Sequence, residues 1–248
     1  MSLISIIFGK RRTGKTALNT KFALDEMANR NRFLSCINAL ENLRRLEVFL
    51  DNPPYEHVVY ANYSFIDRFG RPRYKVNPFH MCLPNDDGIE YEEYLPNASF
   101  HIMEGQMIWK SKKTINNYAC GFFENSGHNG FDIFIDVQRV INIHKDIREI
   151  TDRFITILEL NHDYNERGKI IKSTWKCLEF YDWSIVDEYL KTKNNSLGEQ
   201  VEYTFNGCIF DYYNSFSNQM AYYRKGKKPQ VDYGEDEIYF APDKFYDK

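Results

Sequence analysis

Residues Gly9-Lys10-Arg11-Arg12-Thr13-Gly14-Lys15-Thr16 spell Gly-x4-Gly-Lys-Thr, set between an apolar run and an amphipathic one. Few folds accept this pattern. Gly9 and Gly14 permit backbone angles that other residues resist. The N–H groups between them turn inward toward polyphosphate oxygens, and the positive end of the following helix reinforces them. Lys15 is spaced to reach the β- and γ-phosphates, and the Thr16 hydroxyl to ligate Mg2+. Gly9, Lys10, Arg11, Arg12, Thr13, Gly14, Lys15, Thr16 and Ala17 are the expected nucleotide-binding set, with ATP and Mg2+ as cofactors.

The flanking sequence fits the motif. Leu3-Ile4-Ser5-Ile6-Ile7-Phe8 is a short apolar run of the kind a doubly buried parallel strand requires. From Ala17 to Met27, Leu18, Phe22 and Met27 fall near one helical face. Strand, glycine loop and helix follow in the order the motif needs.

Later segments extend the pattern. His57–Phe65, Ala98–Met103, Phe131–Val137 and Phe154–Leu160 read as strands, and Lys169–Phe180 alternates as one. A polar turn over Asp163–Gly168 makes the last two a hairpin. Helices are expected from Phe33 to Leu50, Thr114 to Asn125, Ile141 to Asp152 and Ile185 to Lys191. The expected class is α/β: a mostly parallel P-loop sheet flanked by helices, with an antiparallel hairpin extension. Residues 1–193 are expected to form the P-loop domain. Residues 194–248 form a C-terminal extension, its last 25 polar with scattered aromatics.

Composition narrows the function. The net charge of −3 announces no overall basic field. Local basic clusters do occur, at Arg68–Lys75, at Lys110, Lys112 and Lys113, and at Arg224–Lys228. The five cysteines are far apart and form no Cys-x-x-Cys pair, which argues for a reducing compartment and against a zinc site. A first strand beginning at Leu3 leaves no room for a leader, and no run reaches the ~18 apolar residues of a membrane span. A soluble, cytoplasmic protein is expected.

Hydrolysis needs an acidic residue near the metal and a group that orients water. Two strand ends compete to supply them. One ends Phe100-His101-Ile102-Met103-Glu104, offering Glu104 as catalytic base but placing Met103 where a magnesium-linked aspartate would stand. The other ends Phe134-Ile135-Asp136, with Gln138 two residues on. Glu104 is read as the base and Gln138 as a γ-phosphate or water sensor. Thr16 then holds Mg2+, with Asp136 assisting from the neighbouring strand.

The order of these segments resembles the zonula occludens toxin (Zot)-like ATPases of phages, which fall among the FtsK/HerA-type P-loop motors. The likeness runs through the P-loop, Glu104-Gly105-Gln106, His128–Gln138 and Ile147-Arg148-Glu149-Ile150-Thr151-Asp152-Arg153, with an echo at Ile209–Phe216. It implies a ring-forming, DNA-translocating ATPase of phage morphogenesis, acting in genome packaging with portal or assembly proteins. It also implies an arginine given from one subunit to the next subunit's site, Arg148 first, then Arg153 and Arg139. Filamentous-phage members carry a membrane span after the ATPase domain, and this sequence has none. A membrane-partnered extrusion ATPase, a small-molecule kinase on the same loop, and a nucleotide-dependent assembly protein with little turnover are the alternatives.

Overall fold

The computed structural model describes residues 3–32, 34–35, 38, 58–63, 65, 97–112 and 117–213. Seven strands form one sheet: β1 (Ile4–Phe8), β2 (Val59–Ala61), β3 (Ser99–Ile102), β4 (Asp132–Val137), β5 (Arg153–Tyr164), β6 (Ile170–Phe180) and β7 (Glu199–Asn206). Their spatial order is β2-β3-β4-β1-β5-β6-β7. The first five in that order pair in parallel, whereas β5, β6 and β7 pair antiparallel. This is the mostly parallel α/β sheet with an antiparallel flank that the sequence predicts.

Every residue of β1 and β4 is buried, which explains their near-continuous apolar runs. Ile4, Ile6 and Phe8 face a core shared with Phe100, Ile133 and Phe154. Ile7 faces the opposite core, with Leu18, Phe22 and Met27 of α1 (Lys15–Ala28). The first core is closed by α3 (Asn117–Glu124), α5 (Lys145–Glu149) and α6 (Trp183–Thr192). Two short helices, α2 (Gly105–Ile108) and α4 (Ser126–Asn129), follow β3 and precede β4.

The parallel strands run together, so the P-loop after Phe8 lies at their C-terminal edge. Phe8 is in register with Thr156, and β5 continues to Tyr164. Those eight further residues carry the β5–β6 hairpin about 26 Å beyond the P-loop strand.

Three expectations change. The helix expected over 141–152 is only a 3-10 turn at Val140–Asn142 followed by α5. Between them Ile143 pairs as a bridge with Lys110, and the His144 N–H donates to Trp109 O at 2.9 Å, which holds the chain extended. The second strand stops at Ala61, because the side chain of Asn62 turns to the Met103 backbone: Nδ2 donates to its O at 3.0 Å, and Oδ1 accepts from its N at 2.7 Å. Strand β7 lies in the stretch read as an extension, and it pairs with β6 from Lys172↔Asn206 to Glu179↔Glu199. Most of the helix expected over 33–50, the basic clusters at 68–75 and 224–228, and the last 25 residues lie outside the described residues.

Candidate nucleotide site

The P-loop begins as β1 ends. Gly9 N–H donates to Val137 O at 3.3 Å, one last rung toward β4. At its far end Gly14 has φ 87° and starts α1. A Cβ there would sit 2.6 Å from Leu160 Cδ2 and 3.1 Å from Trp175 Nε1, so both backbone angle and space demand glycine. Lys10, Arg11 and Arg12 are exposed, Thr13 is half-buried, and Ala17 is buried under the first turn of α1. Lys15 is buried, and its Nζ donates to Lys10 O at 2.8 Å. Burial pulls its ammonium below the ordinary range, while the charges of Asp136 and Glu104 act in the opposite sense.

The sheet order resolves which acid stands beside Thr16. Strand β4 adjoins β1, and β3 lies one strand further out. Asp136 is in register with Ile7, and its Oδ2 accepts from the Thr16 hydroxyl at 3.0 Å. Met103, at the end of β3, puts its Sδ 3.2 Å from that same hydroxyl. The other oxygen of Asp136, Oδ1, accepts from the Glu104 N–H at 2.8 Å. Burial pushes the Asp136 carboxyl up to about 6, assisted by the Glu104 charge and opposed by the Glu104 N–H, Lys15 and Thr16.

Glu104 follows β3 in the left-handed region, at φ 56°. Gly105 lets the chain press against β4, since a Cβ there would collide with Ile135. This turn aims the Glu104 carboxylate at two amides. Gln138 Nε2 donates to its oxygens at 3.1 and 3.2 Å, and Gln106 Nε2 donates to Oε2. Gln138 Oε1 in turn accepts from Arg11 Nε at 3.2 Å. A continuous polar chain thus runs from the P-loop through Gln138 to Glu104.

The donor set suits a nucleotide with Mg2+. A hydroxyl and a buried carboxylate are hard oxygen ligands, and a small divalent ion takes few of these besides phosphate oxygens and water. The carboxylate's raised proton affinity marks a buried charge that a cation would stabilise.

Arg148 is not part of this group. It lies on α5, just before β5 begins at the N-terminal edge of the sheet, opposite the P-loop. Its guanidinium stacks on Trp183 at 4.3 Å, and its Nε is buried with no hydrogen-bond partner. Arg153 is tied to Ser5 Oγ at 3.2 Å and Glu179 Oε1 at 3.7 Å. Arg139 is exposed, directly after Gln138. Sequence reasoning missed Trp175, Leu160 and Asn62, whose parts in the site depend on tertiary packing and leave no local signature. Among the described residues, no helix is long and apolar enough to cross a membrane.

No family model matches the chain, and no curated protein matches it by sequence. Among solved structures, it is similar to the N-terminal domain of zonular occludens toxin from Neisseria meningitidis. The TM-score is 0.54, with 18% identity over 86% of this chain and 100% of that one. It is more distantly similar to the genome packaging NTPase B204 from Sulfolobus turreted icosahedral virus 2 in complex with ATP-gammaS, at TM-score 0.35 and 10% identity over 70% of this chain and 91% of that one. For B204, the DNA-packaging ATPase from Sulfolobus turreted icosahedral virus, the values are 0.37 and 12% over 74% and 95%. What the chain shares with the toxin domain is its fold.

Proposed function

We propose that the chain is a Zot-like phage ATPase, hydrolysing ATP to move DNA during genome packaging, as a ring of subunits. The observation that carries the ATPase reading is the convergence of Thr16, Asp136, Glu104 and Gln138 beside the P-loop, through contacts that span 120, 32 and 34 residues of sequence. The motor reading rests on the resemblance of the ordered segments.

In this reading the loop N–H groups and Lys15 hold the β- and γ-phosphates. Glu104 accepts a proton from the attacking water, which Gln138 orients. Thr16 and Asp136 would hold Mg2+, which would neutralise phosphate charge when bound. Arg148, at the opposite edge from its own P-loop, could serve only a neighbouring copy's site. DNA would be held through its phosphates, without base readout, by clusters such as exposed Lys110 and Lys112. Portal or assembly proteins are the expected partners, in the host cytoplasm.

The test combines turnover and size. ATP hydrolysis should rise with added DNA, Lys15→Ala should abolish it, and a nonhydrolysable analogue should shift the protein to a ring-sized species. Equal turnover with and without DNA, across ring-forming concentrations, would sink the motor reading. A monomer phosphorylating a small acceptor would replace it.

A further inference from the structure

A triphosphate held in this loop has a direction. Glu104, Gln138 and Asp136 lie on the β3–β4 side of β1, so the reacting γ end points there. The sheet order sets β5 and β6 on the other side of β1. The α-phosphate and nucleoside are therefore directed toward the β5–β6 hairpin, which extends past the loop on that flank.

That flank is joined to the loop and carries aromatic rings. Trp175 is buried and donates from Nε1 to Gly14 O at 3.3 Å, and Leu160 packs against Gly14. His162 lies two residues beyond Leu160 on the same face, roughly 7 Å further along the strand. Its Nδ1 is 3.0 Å from Ser173 Oγ, which fixes the imidazole plane. The ring of Phe210 meets it at 5.6 Å, and that of Tyr164 at 6.4 Å. Phe210 belongs to a 3-10 turn, Ile209–Asp211, whose Ile209 is buried in the same core as Ala17 of α1. Despite their size, Phe210 is 42% exposed and Tyr164 58% exposed.

We propose that His162, Phe210 and Tyr164 form the nucleobase subsite, taking the base of the nucleoside triphosphate whose phosphates lie in the P-loop. The proposal rests on the nucleotide reading above and adds where the base goes. Rings read a base by stacking area rather than by its edge. Purines should therefore bind above pyrimidines, with little discrimination between adenine and guanine.

The experiment titrates the full chain with ATP, GTP, CTP and inorganic tripolyphosphate, the last as a base-free probe. Wild type is compared with Phe210→Ala and Tyr164→Ala, each checked by thermal melting. ATP and GTP should bind alike, CTP less tightly, and tripolyphosphate least. Phe210→Ala should weaken ATP about tenfold and leave tripolyphosphate unchanged. Two results overturn the subsite: equal ATP binding by wild type and both variants, or parallel loss of ATP and tripolyphosphate. If wild type binds neither ATP nor tripolyphosphate, the nucleotide reading beneath the proposal fails with it.

Discussion

The Thr16 hydroxyl donates to Asp136 Oδ2 at 3.0 Å, across the junction of two adjacent parallel strands. The residue before Glu104, where a magnesium-linked aspartate was expected, is Met103, and its sulfur lies 3.2 Å from the same hydroxyl. Two positions at the ends of neighbouring strands thus reach one hydroxyl oxygen, and here the acid stands on the inner strand.

Asp136→Asn should weaken magnesium-dependent ATP binding at least about tenfold, because it removes the charged oxygen proposed to ligate the ion. Adding Met103→Asp should recover part of that loss, since side chains at 103 and 136 approach the same hydroxyl. Calorimetric titration with and without Mg2+ checks both. A double variant no better than Asp136→Asn would mean that position 103 cannot serve.

Asp136 also sets a pH signature. It ionises near 3.8 in the unfolded chain and near 6 in the fold, so the folded state holds the proton more tightly. The neutral carboxyl is tolerated below pH 4. Ionising it in the buried site destabilises the metal-free protein by about 3 kcal/mol above pH 6. Asp136→Asn cannot ionise, so its stability relative to wild type should rise between pH 4 and pH 6.5 and then level off. Denaturant unfolding across that window measures the difference, and a flat line refutes it. Magnesium-dependent nucleotide affinity of wild type should climb over the same interval, because a bound cation favours the carboxylate.

Glu104→Gln should lower turnover by about a hundredfold or more while ATP still binds, as expected when a general base is removed. Gln138→Ala should act in the same direction, since Gln138 Nε2 lies 3.1 and 3.2 Å from the Glu104 oxygens. Single-turnover hydrolysis beside equilibrium binding separates the two effects. Loss of binding equal to loss of turnover would make these residues part of the cradle instead.

Trp175→Phe keeps a ring in the core but removes the donor to Gly14 O. The expected loss is about 1 kcal/mol, or roughly 2–4 °C in melting temperature for a domain of this size. ATP affinity should fall with it, because Gly14 belongs to the cradle. Unchanged melting and unchanged affinity would show the bond to be incidental.

The P-loop was legible because all of its parts lie in one contiguous stretch, where spacing alone fixes their relation. Glu104 and Gln138 were legible as strand-end residues, but their mutual contact was not. The choice between the Met103 and Asp136 positions turns on β4, rather than β3, lying beside β1, and that is decided by long-range pairing. Strand β7 did carry a period-two signal in Val201, Tyr203 and Phe205. It was hidden because Gln200, Glu202, Thr204 and Asn206 give it a polar second face, after a stretch that reads as linker. The apolar spacing over 141–152 suggested a longer helix, and nothing local foretold the bridge between Ile143 and Lys110.

The carbonyl of Gly14 accepts from Leu18 N at 2.9 Å and from Trp175 Nε1 at 3.3 Å. One oxygen is therefore shared by the first turn of α1 and the β5–β6 hairpin, so the P-loop and the hairpin cannot separate without giving up a bond.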